Sequence, residues 1–179
     1  MATDKSKNQM LCHFLAALAY RTQKALRGAP DDFADFRVTE GVRTPNELIR
    51  HMTGVIGYAR TFFVGGVWRP EPLPTFSDEI KRFHETVEGL AECFTDSADF
   101  GDRTPERLLQ GPLADAMTHA GQLAMLRRLY GSPVPSENFV KADIKSSNLG
   151  PDQPDPVAPD LDWKLDGSGH TGDSKTGRS

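Results

Sequence analysis

One stretch decides the fold: Gly111-Pro112-Leu113-Ala114-Asp115-Ala116-Met117-Thr118-His119-Ala120-Gly121-Gln122-Leu123. Its apolar residues recur at helical spacing, and residues four apart share one face of a helix, so Asp115 and His119 point to the same side. An interior proline breaks or kinks a helix. We therefore predict a short turn over 104–110 and a main helix from Pro112 to Tyr130, ended by Gly131.

Three further helices precede this one. The first is predicted over about 8–27, where Leu11, Leu15 and Leu18 recur at helical spacing. The second begins with the capping box Thr44-Pro45-Asn46-Glu47 and runs to Val64, and the third begins near Thr75.

No segment alternates like a strand, so the chain is predicted to be all-α. We expect a four-helix bundle over residues 8–144 and an irregular C-terminal extension over 145–179. This extension is rich in Pro, Gly and Asp and is expected to be largely irregular or disordered, with docking onto the bundle ending near residue 145.

Composition narrows the function classes. The 179-residue chain carries a net charge of −4 and has no basic stripe, which argues against a nucleic-acid partner. No apolar run approaches a membrane span, and the first residues lack the apolar region of a signal peptide. Cys12 and Cys93 have no motif spacing and are expected to be reduced and partly buried. We therefore expect a cytoplasmic protein without a membrane partner.

Several polar side chains are predicted to approach the interior. His51 lies at the edge of the apolar arc of the second helix, and His84 lies beside apolar residues of the third. Asp115 and His119 either form a structural hydrogen-bonded pair or share a divalent cation with His51. Arg127 and Arg128 are expected to form a solvated helix end near the negative pole of the helix dipole.

Two segments resemble the DinB-like (DinB/YfiT-like) family of four-helix-bundle metalloproteins. They run from Thr44 to Arg60 and from Asp115 to Leu129. The family commonly binds a divalent metal through one histidine of the second helix and a His-x-x-x-His pair of the last helix, followed by Arg-Gly-Gln. His51 and His119 match the first and last ligands. Asp115 stands in place of the middle histidine, and Ala120 stands in place of the arginine.

The resemblance implies a divalent metal, zinc, nickel or iron, held by His51, Asp115 and His119. It also implies a metal-dependent thiol transferase or hydrolase acting on a small molecule that the sequence does not identify. Gln122 would orient a ligand or substrate, and Tyr58 or His84 would serve as general acid or base. The alternative is a metal-free bundle that acts as a binding or dimerisation module. In either case we expect a homodimer.

Overall fold

The regular secondary structure of the described residues is helical. The computed structural model describes residues 5–95 and 98–159. The helices are α1 (Lys5–Leu26), α2 (Pro45–Val64), α3 (Phe76–Ala91), the short α4 (Pro105–Leu108) and α5 (Ala114–Leu129), with a 3-10 helix at Asp31–Asp35. Those residues contain no strand, only one isolated bridge between Glu137 and Pro159. The predicted all-α class is confirmed.

Local capping fixes where α2 begins. The Thr44 hydroxyl accepts a hydrogen bond from the Glu47 backbone N–H, and the Glu47 carboxylate accepts one from the Thr44 N–H at 2.8 Å. These two bonds satisfy amide groups that a helix leaves unpaired at its start. The helix therefore begins at Pro45, where the sequence predicted it, and this placement fixes the position of His51 two turns later.

The predicted interruption at Gly111-Pro112 is wrong, because the chain stays helical through it. Leu109–Leu113 forms one π-helical turn between α4 and α5, with Pro112 inside it. In an α-helix the proline ring would clash with the carbonyl four residues earlier. The wider π turn relieves that clash, and such turns are common at functional sites.

The long helices pack around one apolar core. α2 contacts α3 and α5, while α1 contacts α5 and α3. Their fully buried side chains include Leu15, Leu18, Ile49, Ile56, Phe83, Leu90 and Leu123. Phe33 of the 3-10 helix is also fully buried, so the connection between α1 and α2 contributes to the core. Among the residues described, no helix has the length and apolar character needed to cross a membrane.

Arg127 does not form a solvated helix end. Its side chain is buried and its guanidinium donates to the carbonyls of Ala25 and Arg27 at 3.1 Å and of Ser132 at 2.7 Å. The first two acceptors lie at the C-terminal end of α1, where helix carbonyls lack intrahelical partners. The arginine therefore joins the end of α5 to the end of α1. Arg128 is exposed, as expected.

The segment over residues 132–159, called here the C-terminal segment, is irregular and lies against the helices. Glu137 accepts a hydrogen bond from the Tyr20 hydroxyl at 2.7 Å, and Leu149 O lies 2.7 Å from Nδ1 of His84. Arg27 donates to Gln153 O at 2.7 Å. Contacts thus continue well past residue 145, where docking was expected to end. Residues 160–179, the rest of the predicted extension, lie outside the described residues.

Candidate metal centre

Two helices bring the three predicted ligands together. His51 lies in the first half of α2, while Asp115 and His119 lie one turn apart at the start of α5. The π turn precedes Asp115 directly, so it sets the direction in which α5 leaves that turn. Because α2 packs on α5, all three side chains meet at the contact between the two helices.

The Asp115 carboxylate lies between the two imidazoles. Its Oδ2 is 3.5 Å from Nε2 of His51 and its Oδ1 is 3.3 Å from Nε2 of His119. One ligand atom from each residue lies within 4.8 Å of the others, and no other such group of three occurs among the described residues. Ligands about 2.0–2.1 Å from a tetrahedral zinc ion are about 3.4 Å apart. The two carboxylate–imidazole separations match this spacing, each through a different oxygen of Asp115, while the set of three ligand atoms is wider, up to 4.8 Å. Both carboxylate–imidazole separations exceed the usual length of a good hydrogen bond.

Gln122 contacts the ring nitrogen of His119 that does not face Asp115. Nδ1 of His119 lies 2.8 Å from Oε1 of Gln122. With the Gln122 amide oxygen placed toward the ring, Nδ1 donates the hydrogen and Nε2 of the neutral imidazole presents its lone pair to Asp115. Nε2 of His119 and Oδ1 of Asp115 are then two acceptors facing each other. A proton on the imidazole or a metal ion would make this contact favourable.

The surroundings of His51 favour its neutral form, which is the form that binds metals. Burial lowers the pKa of His51, and the nearby Arg43 and His119 side chains lower it further. The Asp115 carboxylate raises the pKa of His51. The His51 and His119 rings meet edge to face with centroids 4.6 Å apart. Two imidazolium rings at this distance would repel each other, so both rings are not protonated together.

One side of the cluster opens to solvent. A groove of about 1030 Å³ runs between α2 and the π turn, with Val55, Tyr58 and Pro112 among its lining residues. The Asp115 side chain is 48 % exposed and His51 is 32 % exposed, whereas His119 is only 9 % exposed. A small molecule in the groove can therefore reach the cluster from the Asp115 side.

The other candidate catalytic residues lie at different positions in the structure. Tyr58 lines the groove, so the structure leaves it available as a general acid or base. His84 is buried against Leu149 and does not line that groove. Cys12 and Cys93 are partly buried free thiols, as expected, and burial raises the pKa of each. Neither thiol is therefore an activated nucleophile.

Gln122, predicted to orient a ligand or substrate, contacts one of the candidate metal ligands. Its Oε1 lies 2.8 Å from Nδ1 of His119, and its contact with a substrate stays a prediction. The three-residue spacing between the two residues was the available signal, because residues three apart on a helix are neighbours.

No protein-family model, curated protein or solved structure matches this chain. What the chain does is therefore inferred from its own residues.

Proposed function

We propose that this chain is a DinB-like four-helix bundle, made of α1, α2, α3 and α5, that binds one divalent cation through His51, Asp115 and His119. The observation that carries the proposal is the convergence of one ligand atom from each of the three residues within 4.8 Å of the others, with His119 Nε2 3.3 Å from Asp115 Oδ1 and His119 Nδ1 2.8 Å from Gln122 Oε1. A cation between the two acceptors makes both contacts favourable. Outer hydrogen bonds of this kind are general among metal-binding histidines.

Two imidazole nitrogens and a carboxylate oxygen suit zinc, nickel or iron. A set of three protein ligands leaves at least one coordination position for water or a substrate. That position would face the groove, because Asp115 is the most exposed of the three ligands. The donor set therefore supports a catalytic centre better than a closed structural site.

We further propose that the protein is a metal-dependent thiol transferase or hydrolase. When bound, a divalent cation lowers the pKa of a thiol or water that shares it and so supplies a nucleophile near neutral pH. The groove walls formed by Val55 and Pro112 would bind the apolar part of an organic substrate. Tyr58, on the same wall, would donate or accept a proton at its hydroxyl.

The test uses full-length protein without a histidine tag, loaded with Co²⁺ as a spectroscopic substitute. Visible absorption typical of four- or five-coordinate Co²⁺ is expected, and adding 2-mercaptoethanol should produce a sulfur-to-cobalt band in the near ultraviolet. The loaded protein should then accelerate either conjugation of this thiol to monochlorobimane or hydrolysis of 4-nitrophenyl acetate. His119→Ala should abolish the absorption and whichever rate enhancement the wild type shows, and His13→Ala should leave them unchanged.

The proposed metal binding and the proposed enzymatic activity can be contradicted separately. Absence of Co²⁺ absorption in the wild-type protein would contradict metal binding and leave the metal-free binding or dimerisation module. Co²⁺ binding without either rate enhancement would contradict the enzymatic assignment but retain the metal site. The expected homodimer stays a prediction, which sedimentation equilibrium of the same protein tests.

A further inference from the structure

A second cavity lies on the other side of α5, between α1, α5 and the C-terminal segment, and has a volume of about 230 Å³. This is roughly the volume of eight water molecules in the liquid, so it suits an organic ligand of about five to seven non-hydrogen atoms. None of the three proposed metal ligands lines it, so the cavity is separate from the metal centre. Its walls are largely apolar and include Ala120, Ala124, Val134, Pro135 and Phe139.

Lys24 of α1 brings a buried positive charge to this cavity. It is only 9 % exposed and lines the cavity wall. Its ammonium has three N–H donors, and its one recorded acceptor in the described structure is Pro135 O. Burial lowers the pKa of Lys24, the Glu137 carboxylate raises it, and the charges of nearby arginines lower it again. The ammonium therefore keeps donors for a further acceptor, and its charge is only partly compensated.

The Arg21 guanidinium lines the same cavity and has no oxygen partner among the residues that the structure describes. It stacks on the Phe139 ring, 3.8 Å from the centroid, and its one recorded polar contact is with the Met117 sulfur at 4.0 Å. The enclosed polar atoms without a partner in this part of the chain include none of its nitrogens, so its remaining N–H groups reach the accessible surface. A guanidinium that stacks by its face keeps donors at its edge, where they match the two oxygens of a carboxylate.

Glu137, the one carboxylate of the cavity wall, does not supply this acceptor. Its Oε1 accepts the Tyr20 hydrogen bond at 2.7 Å, and its Oε2 is enclosed, with almost no accessible surface. Glu137 acts on Arg21 through its charge, but no direct ion pair joins the two within the described residues. The charged groups that the cavity leaves for a ligand are therefore the cations of α1, which favours an anion.

We propose that this cavity binds a short-chain aliphatic monocarboxylate of about three to five carbons. The ligand carboxylate accepts hydrogen bonds from Arg21 and Lys24, which are neighbours because residues three apart share a helix face. The hydrocarbon chain lies against Ala124 and Val134. One negative charge is enough, because Glu137 already compensates part of the positive charge of the two cations. The site does not depend on the metal centre.

The test is titration calorimetry of the full-length wild-type protein with propionate, butyrate and valerate at millimolar concentrations. The protein is first treated with a chelator, so that no carboxylate binds at the metal centre. At least one of the three acids should bind saturably. Its primary amide has the same shape without the charge and should bind at least about tenfold more weakly, because it loses the charge-assisted hydrogen bonds. Formate lacks the chain and should lose about fourfold in affinity for each buried CH₂ that is missing.

Two variants identify the site. Arg21→Met retains the aliphatic stem but removes the guanidinium. Gly121→Leu keeps both cations and fills the cavity instead, since Gly121 lines it and a carbon added there would meet nothing within 4 Å. Each should weaken binding of the best acid by about tenfold or more. Lys81→Met, on the exposed face of α3, is the matched control and should bind as the wild type does.

Three results would overturn the proposal. The first is no saturable heat with any of the three acids. The second is an amide or formate that binds as tightly as the best acid, which would indicate a purely apolar cavity or a site for simple anions. The third is unchanged binding of the acid in both folded variants. The comparison of acid, amide and formate uses only the wild-type chain, so it decides the question even if a variant does not fold.

Discussion

Replacing Gln122 with leucine should weaken metal binding while leaving all three proposed ligands in place. The substitution removes the acceptor that lies 2.8 Å from Nδ1 of His119. Without it, the imidazole is free to rotate, and the tautomer that presents the Nε2 lone pair is no longer favoured. Loss of such an outer partner typically lowers metal affinity by about 10–100-fold.

The position of Gln122 indicates the lower end of that range. Its side chain is only partly buried, so water can replace part of the lost hydrogen bond. We therefore expect a roughly tenfold loss, which corresponds to about 1.4 kcal/mol. Gln122→Glu, which keeps an acceptor at the same place, should retain or increase the affinity.

Competition with a chromophoric zinc chelator at neutral pH measures these affinities. Gln110→Leu is the matched control, because Gln110 makes no recorded hydrogen bond to the three ligands in the described structure and should bind zinc as the wild type does. Equal zinc affinity in Gln122→Leu and the wild type, with both proteins folded, would refute the reasoning about the His119 tautomer.

Four further predictions concern stability. Arg127→Met should lower the free energy of unfolding in urea by about 3 kcal/mol, because it leaves buried carbonyls at the end of α1 without donors. Gly57→Ala should destabilise by about 1–3 kcal/mol, since the added carbon would lie 2.2 Å from the Trp68 indole. Gly54→Ala has open space and should stabilise by about 0.5–1 kcal/mol. Burial lowers the pKa of His84 in the folded state, so stability should be full above the unfolded pKa of about 6.5 and should fall as the pH drops toward the folded value, less steeply in His84→Gln.

Each of these predictions has its own contrary result. Arg128→Met serves as the control for the first, and equal urea midpoints for the two arginine variants would contradict the role of Arg127 in capping α1. Equal stability of the Gly54 and Gly57 variants would mean that the indole moves aside without cost. An unfolding free energy that keeps the same acid dependence in His84→Gln would assign that dependence to other groups.

The parts of the fold that could be predicted are those fixed by nearby residues. The start of α2 follows from Thr44 and Glu47, which bond to each other across three residues. The shared direction of Asp115 and His119 follows from helical spacing alone. The approach of His51 to this pair required the apolar arc of α2 together with the family resemblance.

The parts that escaped prediction depend on distant partners. Two acceptors of Arg127 lie at the end of α1, about 100 positions earlier in the chain, and no local pattern predicts this contact or distinguishes Arg127 from the exposed Arg128. His84 is held by Leu149, 65 residues later. A proline inside a helical pattern is compatible with either a break or a wider turn, so the π turn at Pro112, which contacts α2 and α1, could not be predicted from the local sequence.

Metal content is the measurement that tests the central claim most directly. Full-length protein purified without a histidine tag and dialysed against metal-free buffer is loaded with zinc, passed through a desalting column, and analysed by mass spectrometry of the elements. The wild type should retain about one divalent ion per chain, and folded Asp115→Ala and His119→Ala variants should retain almost none. A wild type that retains no ion, or variants that retain as much as the wild type, would contradict the account.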